Sequence, residues 1–258
     1  MKGRITHPPD SWQRLQGLTS ARIALGRSGG SLPTHEWLDF KLSHARARDA
    51  VHCDFDFGRV ENDIANLGLK TVVVDSGAGN RMTYLQRPDL GRLLSADSTR
   101  VLREFNCQCD LVVIVSDGLS ALAVHTQVAP LLANLIPKLE KQQWTLGPIV
   151  IARYGRVALQ DEIGKSIGAK IALILIGERP GLGSPDSLGA YLVYGPKPGN
   201  TDANRNCVSN IRPEGLNHQN AADTIYYLLK ESRARNISGV ALKDTRRMLE
   251  GPRVFEGK

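Results

Sequence analysis

Leu111-Val-Val-Ile-Val115, closed by Ser116-Asp117-Gly118, is the stretch on which the fold turns. Five consecutive apolar residues, mostly β-branched, are too few for a helix and too uniform for a strand with one wet face. They predict a strand buried on both sides. Runs of the same texture recur at Thr71 to Val74, Pro148 to Ala152, Lys170 to Ile176 and Ala190 to Val193, each closed by polar residues or glycine. Helical patterns lie between them. Ala121, Val124, Val128, Leu131, Leu132, Leu135 and Leu139 form the clearest apolar stripe, interrupted by Pro130, and Ala221, Ile225, Leu228 and Leu229 form another.

Alternating strand and helix predicts an α/β fold: a Rossmann-like open parallel sheet with helices on both faces and right-handed crossovers. Upstream of the first strand the texture is helical. Pro8-Pro9-Asp10-Ser11 offers a start signal, Leu15, Leu18, Ile23 and Leu25 fit one apolar side, and a second helix is expected after Pro33-Thr34. The 258 residues therefore divide into a small N-terminal helical domain over 1–52 and an α/β domain over 53–258, with a frayed or helical tail from Lys243 to Lys258.

Composition narrows the function classes. The formal charge of +7 comes from 33 basic and 26 acidic residues that are interleaved, and only 5% of residues are aromatic, so no nucleic-acid surface is predicted. The longest apolar runs fall far short of the roughly 20 residues of a membrane helix, and Met1 to Gly17 has no apolar signal core, so a cytoplasmic protein is expected. Four cysteines, Cys53, Cys107, Cys109 and Cys207, suit a reducing compartment. Cys107 and Cys109 lie too close in an extended segment to bond readily to each other.

In an open α/β sheet, ligands collect beyond the carboxyl ends of the strands. Ser116 to Gly118, Arg153 to Val157, Gly177 to Gly181 and the stretch around Asn206-Cys207 are therefore the segments of interest. Gly177-Glu-Arg-Pro-Gly-Leu-Gly183-Ser-Pro-Asp186 is no dinucleotide fingerprint, because Asp186 stands where the third glycine belongs. It reads as a turn with Ser184 capping a helix and Pro185 at its first position. Glu178 within it, a carboxylate directly after a buried strand, needs hydrogen-bond donors nearby. Arg153-x-x-Arg156 fits either an anion site or two solvated charges. Cys107-x-Cys109 lacks zinc spacing, no metal is assigned, no nucleophile elbow occurs, and His125 sits in a helical pattern as filler. These residues describe a ligand-binding α/β chain with no catalytic set of its own, and a stand-alone nucleotide or small-ligand module remains open.

Several blocks together resemble the ethanolamine ammonia-lyase small (light) subunit family: Arg87-Pro-Asp-Leu-Gly-Arg92, Val112 to Ser120, Arg153-Tyr-Gly-Arg-Val157 with Asp161 to Gly164, Leu175-Ile-Gly-Glu-Arg-Pro-Gly-Leu-Gly183, and Asn206-Cys-Val-Ser-Asn-Ile211. Their order and spacing are similar too, over roughly residues 10–240. The resemblance implies a chain that closes over adenosylcobalamin against a catalytic large subunit, in a hetero-oligomer of paired large and small chains that converts ethanolamine to acetaldehyde and ammonia. It implies cofactor contacts at Val157, Glu178 and Cys207, with Val157 acting through its backbone, and no catalytic residue in this chain. It also implies a cytoplasmic setting, with a bacterial microcompartment as one version of it. The D-x-H-x-x-G string by which some cobalamin proteins supply a histidine to cobalt does not occur, and Asp49-Ala-Val-His52 has the wrong spacing, so the cofactor is expected to keep its own lower base.

Overall fold

The computed structural model describes residues 12–19, 21–105 and 107–246. The chain opens with α1 (Gln13–Gln16), α2 (Thr34–His52) and α3 (Phe57–Ala65), then enters the sheet at β1 (Thr71–Asp75). Helices α4 (Arg81–Gln86) and α5 (Ala96–Glu104) lead to β2 (Leu111–Ser116). Next come α6 (Ala121–Lys141), β3 (Ile149–Arg153), α7 (Leu159–Ile167) and β4 (Ile171–Gly177). Two further strands, β5 (Leu188–Tyr194) and β6 (Arg205–Ile211), precede α8 (His218–Arg235).

The strand order is β1-β3-β2-β4-β5-β6. The first four are mutually parallel, as expected, but β5 runs antiparallel to β4 and β6 antiparallel to β5, so the sheet is mixed. The cause lies in the connection. Residues 178–187 carry Pro180, Gly181, Gly183 and Pro185, too short and too broken for the crossover of a dozen or more residues that a parallel neighbour needs. Gly181 and Ser184 exchange backbone hydrogen bonds of 3.2 Å instead, and the chain reverses. The expected helix start at Ser184-Pro185 does not exist, and Asn206-Cys207 lies inside β6, a strand that the sequence pattern did not resolve.

Burial follows the alternation of side chains across the pleat. Leu111, Val113, Val115, Ile151, Leu173 and Leu175 face α3, α6 and α8, whereas Val112, Ile114, Ala152, Ile174 and Ile176 face α5 and α7. Strands β2 and β4 are buried along their whole length. At the antiparallel edge, β5 and β6 pack one face on α8 and leave Tyr191 half-buried and Cys207 exposed on the other.

Helix α6 runs unbroken through both Pro130 and Pro137. An internal proline costs about 3 kcal/mol, yet the stripe from Val124 to Leu139 is fully buried, and each large apolar side chain returns about 1.5–3 kcal/mol. Burial wins. At the N-terminus the opposite happens: among the described residues of 18–25 the expected helix is absent, α1 is a single turn, and Ser28 and Ser31 close a tight turn around Gly29-Gly30. The two core clusters begin at Val60 and Val72, so Leu15 and Leu18 have no core to bury against and are exposed. Helix α2 starts at Thr34, as Pro33-Thr34 predicts. The start signal at Pro8 to Ser11 and residues 247–258 of the tail lie outside the described residues. Among the described residues, no helix is long and apolar enough to cross a membrane.

At the carboxyl ends of β2 and β4 two glycines meet. Gly118 adopts φ 56°, and a Cβ on it would lie 2.3 Å from the Gly177 carbonyl oxygen; one on Gly177 would lie 2.1 Å from the Ser120 carbonyl oxygen. Only glycine permits this approach, which Leu119 N–H seals by donating to Gly177 O at 2.9 Å. Gly118→Ala is expected to lower unfolding free energy by about 3 kcal/mol, the sum of overpacking and left-handed strain, measured by urea denaturation. An unchanged midpoint would show that this crossing tolerates a side chain.

Candidate functional site

Helix α6, which follows β2, lies on one face of the sheet and α7, which follows β3, lies on the other, so the chain departs from adjacent strands in opposite directions and leaves a crevice at their carboxyl ends. Two adjoining cavities of about 400 and 690 Å³ occupy it and share Arg156, Val157 and Tyr191. The first is walled by Gly118, Gly177, Glu178 and Arg179. The second extends over the open face of β5 and β6, past Arg92, Arg205 and Cys207. Val157, Glu178 and Cys207, far apart in sequence, therefore line one groove.

The floor is set by Asp117, 1% exposed. Its Oδ1 accepts from Tyr154 N–H at 2.7 Å, joining the ends of β2 and β3, and its Oδ2 accepts from Arg81 Nη1 at 3.0 Å. Arg81 also donates to the carbonyl oxygens of Gly118 (2.6 Å) and Val51 (2.7 Å). Burial pushes the Asp117 carboxyl up to about 6 despite the Arg81 guanidinium beside it. Tyr154 sits at φ 57°, a left-handed turn held by Asp117 and by Ser76 Oγ, which donates to Tyr154 O at 2.8 Å.

That turn delivers Arg156 and Val157 to the groove. Arg156 N–H donates to Gly91 O at 2.7 Å, and its guanidinium lies 4.1 Å from the Tyr84 ring centroid while donating to Tyr84 O at 3.0 Å. Burial raises the Tyr84 phenol to about 12, with Arg156 opposing, so it stays protonated. Val157 and Ala158 are the residues from which α7 springs; among the described residues, no group accepts from their N–H groups. The two arginines of the R-x-x-R segment part company: Arg153 is taken up by a bidentate ion pair with Asp75, and Arg156 faces the groove.

Glu178 finds the donors that its position demands. Ser187 Oγ and Asn210 N–H (3.2 Å) both donate to Oε2, while Oε1 has no donor among the described residues. Gly189 beneath it has no side chain because a Cβ there would lie 2.9 Å from Oε1. Cys207 projects from β6 beside Tyr191; desolvation, with Glu178 adding to it, pushes the thiol above its ordinary range, so it is held neutral rather than nucleophilic. Desolvation likewise raises the Tyr191 phenol. Below the groove Asp161 of α7 and Arg205 of β6 form an ion pair whose side chains are 4% and 2% exposed, and Asn200 Nδ2 donates to Asp161 at 2.7 Å. This pair locks the element carrying Val157 to the strand carrying Cys207.

Sequence reasoning did not single out Arg81, Tyr84, Tyr191 or Arg205. Arg81 and Tyr84 sit in α4, too short to show a period, and Arg205 is one arginine among many until β6 is placed. His125 accepts from Asp56 N–H at 3.1 Å and stacks on Phe55, away from the groove.

A family model described as ethanolamine ammonia-lyase light chain (EutC) matches residues 9–243. The chain belongs to the ethanolamine ammonia-lyase light-chain family. An ethanolamine ammonia-lyase small subunit of Pseudomonas syringae pv. tomato is 52% identical, covering 92% of this chain and 84% of the relative. One from Pseudomonas fluorescens is also 52% identical over 92% and 89%, and one from Pseudomonas putida 49% over 95% and 91%. The blocks that carried the resemblance supply much of the groove of this light-chain family member: R-Y-G-R-V its α7 wall, G-E-R-P its β4 wall and N-C-V-S-N-I its open face.

Asp117→Asn in this light chain leaves an oxygen for Tyr154 N–H but puts an amide donor where Oδ2 accepts from Arg81 Nη1, and is expected to cost about 1.5–3 kcal/mol. The pH dependence has a definite sign. The folded carboxyl, at about 6, lies above the ordinary value of 3.8, so its contribution to stability is complete below 3.8 and is lost as pH rises through 6. The wild-type advantage over Asp117→Asn should therefore shrink between these values in urea titrations; growth of that advantage would contradict the buried, raised carboxyl.

Proposed function

We propose that this chain is the small subunit of an ethanolamine ammonia-lyase and that its groove receives the rim of adenosylcobalamin at the interface with the large subunit. The observation that carries this reading is the convergence of Val157, Glu178 and Cys207 on one groove whose polar groups are not used up internally. A corrin rim bears amide arms that both donate and accept. Glu178 Oε1 is a free acceptor, already aimed by the two donors on Oε2, and the Val157 and Ala158 N–H groups are free donors. Arg92 and Arg179 form no ion pair among the described residues and leave the groove net positive. The residues present fit an amide-fringed, phosphate-bearing ligand.

Bound adenosylcobalamin supplies the radical that starts conversion of ethanolamine to acetaldehyde and ammonia. This chain's part is binding and shielding. Glu178 orients amide arms, the α7 entrance presents backbone donors, and Tyr191 with the neutral Cys207 thiol forms an apolar wall that excludes water without offering a reactive thiolate. The catalytic side chains belong to the large subunit, and this chain lends no histidine to cobalt. N-terminal to the cofactor-contacting part of the chain, α2 exposes Trp37, Leu38 and Leu42, a surface suited to the assembled hetero-oligomer. The assembly works in the cytoplasm, within a microcompartment where the host builds one.

A neutral hydrogen bond contributes about 0.5–1.5 kcal/mol net, so loss of one contact should weaken cobalamin retention about 2- to 10-fold without releasing it. Glu178→Ala, co-expressed with the large subunit, is expected to co-purify as the same complex but to lose cobalamin faster on dilution, followed by the corrinoid absorption. Val157→Pro removes a backbone donor and should have the larger effect. Unchanged retention in Glu178→Ala would remove that side chain from the cofactor site. A monomer that binds nucleotide and ignores both cobalamin and the large subunit would favour the stand-alone module instead.

A further inference from the structure

At the opposite end of the sheet from the groove, the entry to β2 carries two cysteines that the function above does not use. In an extended segment they would not bond readily to each other. The segment is not extended: Gln108, between them, adopts φ 44°, in the left-handed region that a non-glycine residue seldom occupies. Both sulfurs turn to one space: the position that a Cβ would take on Gly147 lies 3.0 Å from Cys109 Sγ and 3.5 Å from Cys107 Sγ.

The bend is anchored on both sides. Cys107 N–H donates to Ile167 O at 3.2 Å, Lys170 N–H donates to Cys109 O at 3.0 Å, and Asp110 and Leu111 N–H both donate to Thr145 O. Glycine at 147 leaves the space that both sulfurs occupy. In a strand, side chains two residues apart share a face but stand about 6.6 Å apart at the backbone, near the upper end of the Cα separation a disulfide accepts. A left-handed residue between them shortens that separation. Cys107 is exposed and Cys109 fully buried, so one thiol meets solvent and the other waits beneath it.

We propose that Cys107 and Cys109 form a peroxide-responsive thiol pair that closes into a reversible disulfide within the entry to β2. Cys107 thiolate attacks a hydroperoxide oxygen; the S–O bond forms, the O–O bond breaks, and hydroxide leaves to take up a proton as water. Cys109 sulfur then displaces hydroxide from the Cys107 sulfenic acid. The S–S bond forms, the S–O bond breaks, and the Cys109 proton departs with the hydroxide as a second water. Two thiols lose two electrons and the peroxide gains them. Exposure makes Cys107 the attacking group; Cys109, buried beneath it with its thiol pushed up by that burial, is the resolving one.

The pair lies far from Val157, Glu178 and Cys207, so closing it should leave cofactor retention unchanged. The test treats the co-purified complex with a small excess of hydrogen peroxide and reads the intact mass of this chain. The expected result is loss of two hydrogens, reversed by dithiothreitol, with the bond mapped to the single tryptic peptide that contains both residues. In Cys109→Ser the same treatment should instead give a dimedone-trapped sulfenic acid at Cys107. Cys107→Ser, an exposed substitution that leaves the core untouched, should show neither. Over-oxidation of Cys107 with Cys109 still free, or no change at either residue while Cys53 or Cys207 reacts, would overturn the proposal.

Discussion

The groove depends on one buried ion pair, Arg81 with Asp117. The carboxylate joins the ends of β2 and β3, and the guanidinium spans from that carboxylate to the loop leading into α6 and to the last turn of α2. The raised Asp117 carboxyl means that desolvation outweighs the attraction of Arg81. The pair is therefore a weak source of stability and a strong source of geometry, because the loss of either partner leaves a buried polar group with nothing to face. Asp161 with Arg205 repeats the arrangement one layer away, fixing α7 to β6. Two short ion pairs hold three strand ends and one helix start in a fixed relation.

That rigidity suits a surface that binds by many weak contacts. The groove offers separate backbone donors, one oriented carboxylate, unpaired arginines and a neutral thiol, distributed over four segments of chain. None is strong alone. A large, arm-fringed ligand gains from such a surface only if the points are preorganised, since each contact must otherwise meet the cost of ordering both sides. The buried ion pairs and the glycine crossing at Gly118 and Gly177 provide that order in the absence of ligand.

The alternation of buried strands and amphipathic helices was readable because β2 and β4 are apolar along their full length and α6 carries a long stripe. The four parallel strands followed directly. The antiparallel edge did not, although the prolines and glycines between Gly177 and Leu188 already forbade a crossover helix; β6 was hidden because Arg205-Asn206 and Ser209-Asn210 flank Cys207-Val208, and its buried residues Arg205, Val208 and Ile211 recur every third position rather than every second. Glu178 was legible as a carboxylate needing donors, and Ser187 and Asn210 supply them. Arg81 was not legible, since its importance arises from contacts with residues thirty or more positions away. The bend at Gln108 was equally invisible: nothing in Cys-Gln-Cys announces a left-handed residue.

On the proposed function, one face of this chain, at the carboxyl ends of β2, β3 and β4, is a cofactor wall in an assembled enzyme. A structure of this subunit bound to its large partner with cobalamin present addresses it most directly. Corrin amide arms are expected within hydrogen-bond distance of Glu178 Oε1 and the Val157 N–H, with Cys207 in van der Waals contact. A corrinoid lodged wholly within the large subunit, with this groove open to water, would contradict it.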